Sequence, residues 1–275
     1  MPVTDSPLVF ITGASSGIGQ ALAWRYHQAG YRLALVARRT SEIETWAKAL
    51  NISTDRYQIY SADVTDTEAM VQVGLACLRE QGLPDVVIAN AGISIGIDTA
   101  CRDDIEVMAR VFATNNIGMM ATFHPFVQGM TERAARSGQA MRGSNAGGTL
   151  VGIGSVAGIR GLPGHGAYCS SKAAAITYCE SLRGELRPLG VRVVTVCPGY
   201  IDTPLTRKNR YSMPFLMTAE DFANQAFKTI AAGRSYRVIP WQMGVVAKLM
   251  RLLPNVVYDR LLAGRPRKLR QGEQR

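Results

Sequence analysis

Leu8-Val9-Phe10-Ile11-Thr12-Gly13-Ala14-Ser15-Ser16-Gly17-Ile18-Gly19, running on into Gln20-Ala21-Leu22, decides the fold. An apolar run that ends in a glycine-rich turn and resumes as a helical pattern reads as strand, tight turn and helix start. Glycines spaced Gly-x3-Gly-x-Gly let the backbone turn sharply and approach a pyrophosphate, whose charge sits at the helix N-terminus. Gly13, Ser15, Ser16, Gly17, Ile18 and Gly19 are therefore candidate dinucleotide-binding residues.

The same alternation continues along the chain. Strands are predicted at 8–12, 31–37, 57–60, 85–89, 148–153, 191–196 and 236–239, with helices at 17–29, 40–50, 66–81, 102–120, 121–136, 168–188 and 218–232. Continuous runs such as Asp85-Val86-Val87-Ile88-Ala89 suit central parallel strands. Repeated strand–helix units predict an α/β fold: a doubly wound, Rossmann-type parallel sheet of about seven strands with helices on both faces. One domain is expected over 1–240, with 241–275 as a C-terminal amphipathic helical extension.

Ligands of such a sheet bind beyond the carboxyl ends of its strands. The informative loops all follow predicted strand ends: Gly13–Gly19, Arg38-Arg39, Asp63-Val64, Asn90-Ala91-Gly92, Ser155 and Pro198-Gly199. Residues 131–148 read as a long mobile loop at the opposite edge. Residues 200–217, with Tyr200, Leu205, Tyr211, Met213, Phe215, Leu216 and Met217, read as a substrate lid.

A chain of 275 residues with 47% hydrophobic content can bury a large core. The five cysteines are scattered, without a Cys-x2-Cys pair, which argues against a metal site or disulfide framework and suits a reducing compartment. The N-terminal sequence lacks a basic signal-peptide start, so a cytoplasmic protein is expected. The net charge of +10 has no nucleic-acid motif beside it.

Tyr168 and Lys172 stand four residues apart, on one face of a helix, and Ser155 lies thirteen residues before the tyrosine. An ammonium near a phenol favours the phenolate and lowers the phenol pKa. A serine hydroxyl nearby could hold a substrate oxygen, so the set reads as proton-transfer machinery for carbonyl reduction or alcohol oxidation. Cys169 is read as packing and His165 as a solvated loop histidine. After the second strand come Arg38 and Arg39, with no carboxylate until Glu42. Guanidinium suits a ribose 2′-phosphate, which predicts NADP(H), with Arg38 the main contact and Arg39 stacking on adenine.

Together these motifs resemble the short-chain dehydrogenase/reductase family over roughly residues 8–239. The match includes Thr-Gly-x3-Gly-x-Gly at 12–19, Asn90-Ala91-Gly92, Ser155 with Tyr168-x3-Lys172, and Pro198-Gly199 with Thr203. Asn115, rather than Asn116, fits the family's helix asparagine by its spacing to Gly118. The resemblance implies roles. Tyr168 is the general acid in reduction. Lys172 lowers its pKa and bonds the nicotinamide ribose. Ser155 orients the carbonyl, and Asn115 holds a water linking Lys172 to solvent. Thr203 and the backbone of Pro198, Gly199 and Ile201 hold the carboxamide. Asp63 and Val64 reach the adenine, and Asn90, Ala91 and Gly92 steady the strands beneath the cofactor. A homodimer or homotetramer is implied as well. The reading is an NADPH-dependent reductase of a bulky hydrophobic, lipid-like ketone. The competing class is a noncatalytic NADPH-binding sensor or membrane-associated scaffold.

Residues 241–253 form a helical pattern with a wide apolar face and a narrow polar side at Gly244, Lys248 and Arg251; apolar residues after Pro254 extend it, and a basic stretch, 265–270, follows. Two readings stay open: peripheral contact of 241–270 with an anionic membrane, or packing on a pocket or partner subunit.

Overall fold

Seven β-branched, apolar stretches become seven strands: β1 (Leu8–Thr12), β2 (Arg32–Ala37), β3 (Tyr57–Ser61), β4 (Val86–Ala89), β5 (Gly148–Ile153), β6 (Val191–Pro198) and β7 (Tyr236–Ile239). The computed structural model describes residues 6–137, 146–207, 209, 212–264 and 268–272. All neighbouring strands pair in parallel, in the order β3-β2-β1-β4-β5-β6-β7. The helices are α1 (Gly17–Gln28), α2 (Thr40–Ala49), α3 (Thr67–Glu80), α4 (Asp104–Phe112), α5 (Gly118–Arg136), α6 (Gly166–Leu186), α7 (Ala219–Ala231), α8 (Trp241–Leu252) and α9 (Asn255–Leu262). The fold is the expected doubly wound Rossmann-type sheet. Between β1 and β4 the strand order reverses direction, which opens a crevice at the carboxyl edge.

Alternation along each strand sends side chains to two separate cores. Val9, Ile11, Val194 and Val196 meet Leu22 and Tyr26 of α1, Trp46 of α2 and Phe222 of α7 on one face. Phe10, Val87 and Leu150 meet Met70 of α3, Phe123 and Phe126 of α5 and Cys179 of α6 on the other. Phe10 and Phe126 are tilted rings 4.8 Å apart. At the amino edge, Asp85 accepts the Leu8 N–H at 2.9 Å and pairs with Arg133 at 3.2 Å. That carboxylate ties β1, the start of β4 and α5 together, leaving the carboxyl edge for function.

Three expectations change. The helix expected at 102–120 divides: α4 ends at Phe112, and a π turn, Ala113–Ile117, leads into α5. Residues 131–136, read both as the end of the 121–136 helix and as the start of the 131–148 loop, are helical and end α5, because Ala134 remains buried and Arg133 is anchored at Asp85 and the Gly147 carbonyl. The rest of that expected loop, 138–145, lies outside the described residues. The C-terminal helix does form but breaks at Pro254 into α8 and α9, and Gly244, between Arg251 and Lys248 on the wheel, packs inward instead of facing solvent. Met243 and Gly244 pack inward, Gly244 against Val238, while Trp241, Val245, Leu249 and Leu252 face outward.

Phe126→Ala should remove a fully buried ring that packs on Phe10 and cost about 3–5 kcal/mol of stability. Urea denaturation followed by circular dichroism reads this; a loss below about 1 kcal/mol would contradict the packing described.

Candidate active site

The glycine turn has no room for side chains. Gly13 and Gly17 take φ of +69° and +59°, which favours glycine. A Cβ on Gly19 would lie 2.2 Å from the Gly13 carbonyl oxygen. Asn90, at the end of β4, braces the turn: its Nδ2 donates to the Thr12 and Gly13 carbonyls at 3.0 and 3.3 Å. The Thr12 hydroxyl in turn accepts the Asn90 N–H at 3.2 Å. Ser16 is the N-cap of α1 without a side-chain cap bond, and it lines the cleft with Ser15, Gly17 and Ile18. The first turn of α1 is thus placed as an anion site.

One end of the same cleft is lined by Arg38, Arg39, Asp63 and Val64, with Ala91 and Gly92 along its floor. Arg38 pairs with Asp63 at 3.2 Å, and Arg39 with Glu42 at 3.0 Å. Asp63 also accepts from the Thr65 N–H and hydroxyl. Burial pulls the Asp63 carboxyl up, but the Thr65 bonds and the Arg38 guanidinium outweigh it and hold the carboxyl below its ordinary value. Asp66, not Asp63, caps α3, accepting the Ala69 N–H at 2.9 Å.

At the other end, β5 delivers Ser155 and α6 delivers Tyr168 and Lys172. The Ser155 hydroxyl accepts the Ala157 N–H at 3.1 Å and hydrogen-bonds the Tyr168 phenol. One turn along α6, Lys172 Nζ donates to the Ile153 carbonyl at 2.8 Å and lies 5.9 Å from the Tyr168 ring centre. Asn115 comes from the π turn, a helix defect that often marks a functional position. Its Oδ1 accepts the Ile93 N–H at 2.9 Å, and its Nδ2 donates to the Ile93 carbonyl at 3.0 Å and to Ser171 at 2.9 Å. Gly92 lies against both Asn115 and Lys172. Asn116 instead bonds the Ser171 carbonyl. Ser155, Tyr168 and Lys172 thus line one end of the cleft, with Asn115 buried behind Gly92 and Ile93.

The electrostatics differ from the sequence expectation. Burial pushes the Tyr168 phenol up to about 12 and outweighs the Ser155 hydrogen bond, which pulls it down. Burial also pulls Lys172 down to about 8. The expected lowering of the phenol by the ammonium does not govern here, because burial is the larger effect. His165 is not solvated as expected: it is buried, its Nδ1 bonds the Pro163 carbonyl at 3.1 Å, and burial holds its pKa down. Cys169 is buried, as its reading as packing implies, and burial pushes its thiol up.

Pro198, Gly199, Ile201 and Thr203 also line the cleft. From there the described part of 200–217 is pinched at its base: Met217 N–H donates to the Tyr200 carbonyl at 3.0 Å, and Asp202 N–H to the Met217 carbonyl at 2.8 Å. Leu205 lines the cleft and is exposed, as are Phe215 and Leu216. Tyr211, counted in the expected lid, lies outside the described residues.

Two sets of contacts had no signal in the sequence. The tail packs on the segment after β4, on α4 and on Asn209: Gly96 N–H donates to the Leu269 carbonyl at 3.1 Å, Arg270 pairs with buried Asp104 at 2.6 Å, and Lys268 reaches Asn209 at 3.2 Å. Arg160, between Ser155 and Tyr168, donates to the Met250 carbonyl and, at 2.8 Å, to the Leu253 carbonyl at the end of α8. It also stacks 3.8 Å from the Tyr258 ring of α9. No sequence spacing links either pair.

Comparison with known proteins gives one family. The family described as short chain dehydrogenase matches residues 7–213. An uncharacterized oxidoreductase of Myxococcus xanthus is 36% identical over 90% of this chain and 93% of its own length. An NADP-dependent 3-hydroxy acid dehydrogenase of Schizosaccharomyces pombe is 32% identical over 72% of this chain and 73% of its own. A Burkholderia phymatum short chain dehydrogenase/reductase, solved in complex with NAD, shares the fold with a TM-score of 0.76 and 22% identity, over 97% of this chain and 98% of its own.

The buried lysine predicts a pH signature. With its pKa drawn from 10.5 to about 8, the folded chain holds fewer protons than the unfolded one between those values, so this group's destabilisation shrinks as pH rises. Relative to the parent, Lys172→Met should be most favourable at pH 7 and lose that advantage by about pH 10. Chemical denaturation at both pH values reads the difference; an advantage that does not change with pH would contradict the depressed lysine.

Proposed function

The chain belongs to the short-chain dehydrogenase family of oxidoreductases, and from that premise we propose that it reduces a carbonyl on a bulky, hydrophobic substrate to the alcohol with NADPH. The observation that carries this reading is the meeting of Ser155, Tyr168 and Lys172 at one end of a cleft whose middle is a glycine turn and whose other end carries Arg38.

The cleft fits a dinucleotide. The turn from Gly13 to Gly19 excludes side chains where a pyrophosphate would approach, and the start of α1 favours its charge. Arg38 and Arg39 suit a 2′-phosphate, for which Arg38 would exchange its exposed Asp63 partner. The yeast relative named as NADP-dependent supports the same choice. Thr203 and the backbone of Pro198, Gly199 and Ile201 would hold the carboxamide, and Lys172 the nicotinamide ribose. When bound, the nicotinamide supplies the hydride.

The protein's own part is the proton. Tyr168, kept protonated by burial, donates from its hydroxyl to the carbonyl oxygen as charge develops there. Ser155 holds that oxygen with a second hydrogen bond. Lys172 places a positive charge beside the phenol and favours the phenolate left behind. Asn115, through Ile93 and Ser171, positions the wall against which Lys172 rests. Leu205, Phe215 and Leu216 of the lid favour an apolar substrate. Exposed Ile105, Met108, Ile117 and Met120 along α4, the π turn and α5 support self-association as a dimer or tetramer.

Tyr168→Phe should lower kcat by about 10²–10⁴ while NADPH still binds, as read by nucleotide fluorescence. Parent-like turnover in that variant would end this mechanism. Arg38→Ala should raise KM for NADPH about tenfold and leave KM for NADH nearly unchanged, a loss of about one charge-assisted contact. A parent that prefers NADH would sink the arginine argument.

A further inference from the structure

Helices α8 and α9 pack on the protein by one side only. Met243, Gly244, Tyr258 and Leu262 point inward. Outward stand Trp241 at 59% exposure, Leu249 at 60%, Leu252 at 80% and Val256 at 62%, joined by Val245 and Leu261. On a helical wheel Trp241, Val245, Leu249 and Leu252 fall within about 80° of one another, a continuous apolar stripe. Lys248 borders that stripe, Arg251 lies exposed about 80° from it, and Arg260 lies between Val256 and Leu261. From Trp241 to Gly264 the sequence holds three basic residues and one carboxylate, Asp259, in a chain of net charge +10.

We propose that this face of α8 and α9 docks on the surface of an anionic phospholipid bilayer. Apolar residues with a tryptophan and a basic border are the composition of a helix that lies in the interface, its apolar side among acyl chains and its cations among headgroups. Insertion is shallow: among the described residues, no helix is long and apolar enough to cross a membrane. Charge argues against a second copy as the occupant. A symmetric contact through this face would set the Lys248 and Arg251 of one chain against those of the other, with only Asp259 to offset them. Anionic headgroups remove that repulsion. Both α8 and the lid leave the sheet at its carboxyl edge, after β7 and β6, so docking brings the edge that carries the cleft toward the lipid.

The test is co-sedimentation of the full chain with vesicles of phosphatidylcholine alone or mixed with phosphatidylglycerol, beside sedimentation velocity without lipid. It reads lipid binding, so loss of reductase activity would not decide it. The parent should bind the mixed vesicles about tenfold more tightly than the neutral ones and release them at high salt. Leu249→Glu with Leu252→Glu should return binding to background, and Lys248→Glu with Arg251→Glu should weaken it about tenfold. All four residues are exposed, and unchanged thermal unfolding checks the fold; Leu249→Ser with Leu252→Ser serves if the glutamates perturb it. Failure of the parent to bind, equal binding to both vesicles, or unchanged binding by the apolar-face variants would overturn the proposal. So would dissociation of an oligomer by the Leu249/Leu252 variants, which would assign the face to a second copy.

Discussion

A gap too small for a methyl group organises this molecule. The Gly13 carbonyl and the Gly19 Cα approach so closely that any side chain at position 19 would collide with the carbonyl oxygen. That approach sets the angle at which α1 leaves β1, and so how α1 lies on the sheet. Asn90 fixes it from the neighbouring strand by bonding the Thr12 and Gly13 carbonyls. The turn is therefore held by β4 as well as by its own backbone. It lies where the strand order reverses, which is where an open parallel sheet offers a crevice. Arg38, Ser155 and Pro198 reach this crevice because their strands all end on the same edge.

Burial then sets the chemistry of that crevice. Tyr168 and Lys172 are both driven toward their neutral forms, the phenol upward and the ammonium downward. A phenol held protonated is a donor awaiting an acceptor, and a lysine near neutrality has little distance to travel between charge states. Each group tolerates its site through a named partner: Ser155 for the phenol and the Ile153 carbonyl for the amine. Backbone geometry at the end of β5 thereby holds both, since Ile153 and Ser155 are two residues apart on one strand exit.

The sheet was legible in the sequence because period-two and continuous apolar runs report burial directly, and buried strands such as β4 and β6 have few competing interpretations. The cleft was legible because Gly13, Arg38, Asn90, Ser155 and Thr203 each follow a strand, and topology gathers strand ends without knowledge of any side-chain contact. What depended on three-dimensional crowding was not. Nothing in the order of residues says that His165 is enclosed, that the ammonium of Lys172 turns to a carbonyl, or that Arg270 finds Asp104. The C-terminal helix was legible as amphipathic, but periodicity does not say which side faces the protein. Gly244 looked polar beside Lys248, yet its small size lets α8 approach Val238, which turns the apolar side outward.

Arg160 gives the molecule a mechanical property. Its guanidinium closes the carbonyl end of α8 and lies on the Tyr258 ring, while the Tyr258 hydroxyl donates to the Gly161 carbonyl at 2.6 Å. The segment between Ser155 and Tyr168 is thus bolted to the two surface helices at adjacent residues. Segments coupled this way open and close as one cooperative unit. Protection of amides in α9 against hydrogen exchange should therefore rise and fall with protection around the Ser155–Tyr168 segment. Whatever steadies the outer helices also steadies the spacing of Ser155 and Tyr168.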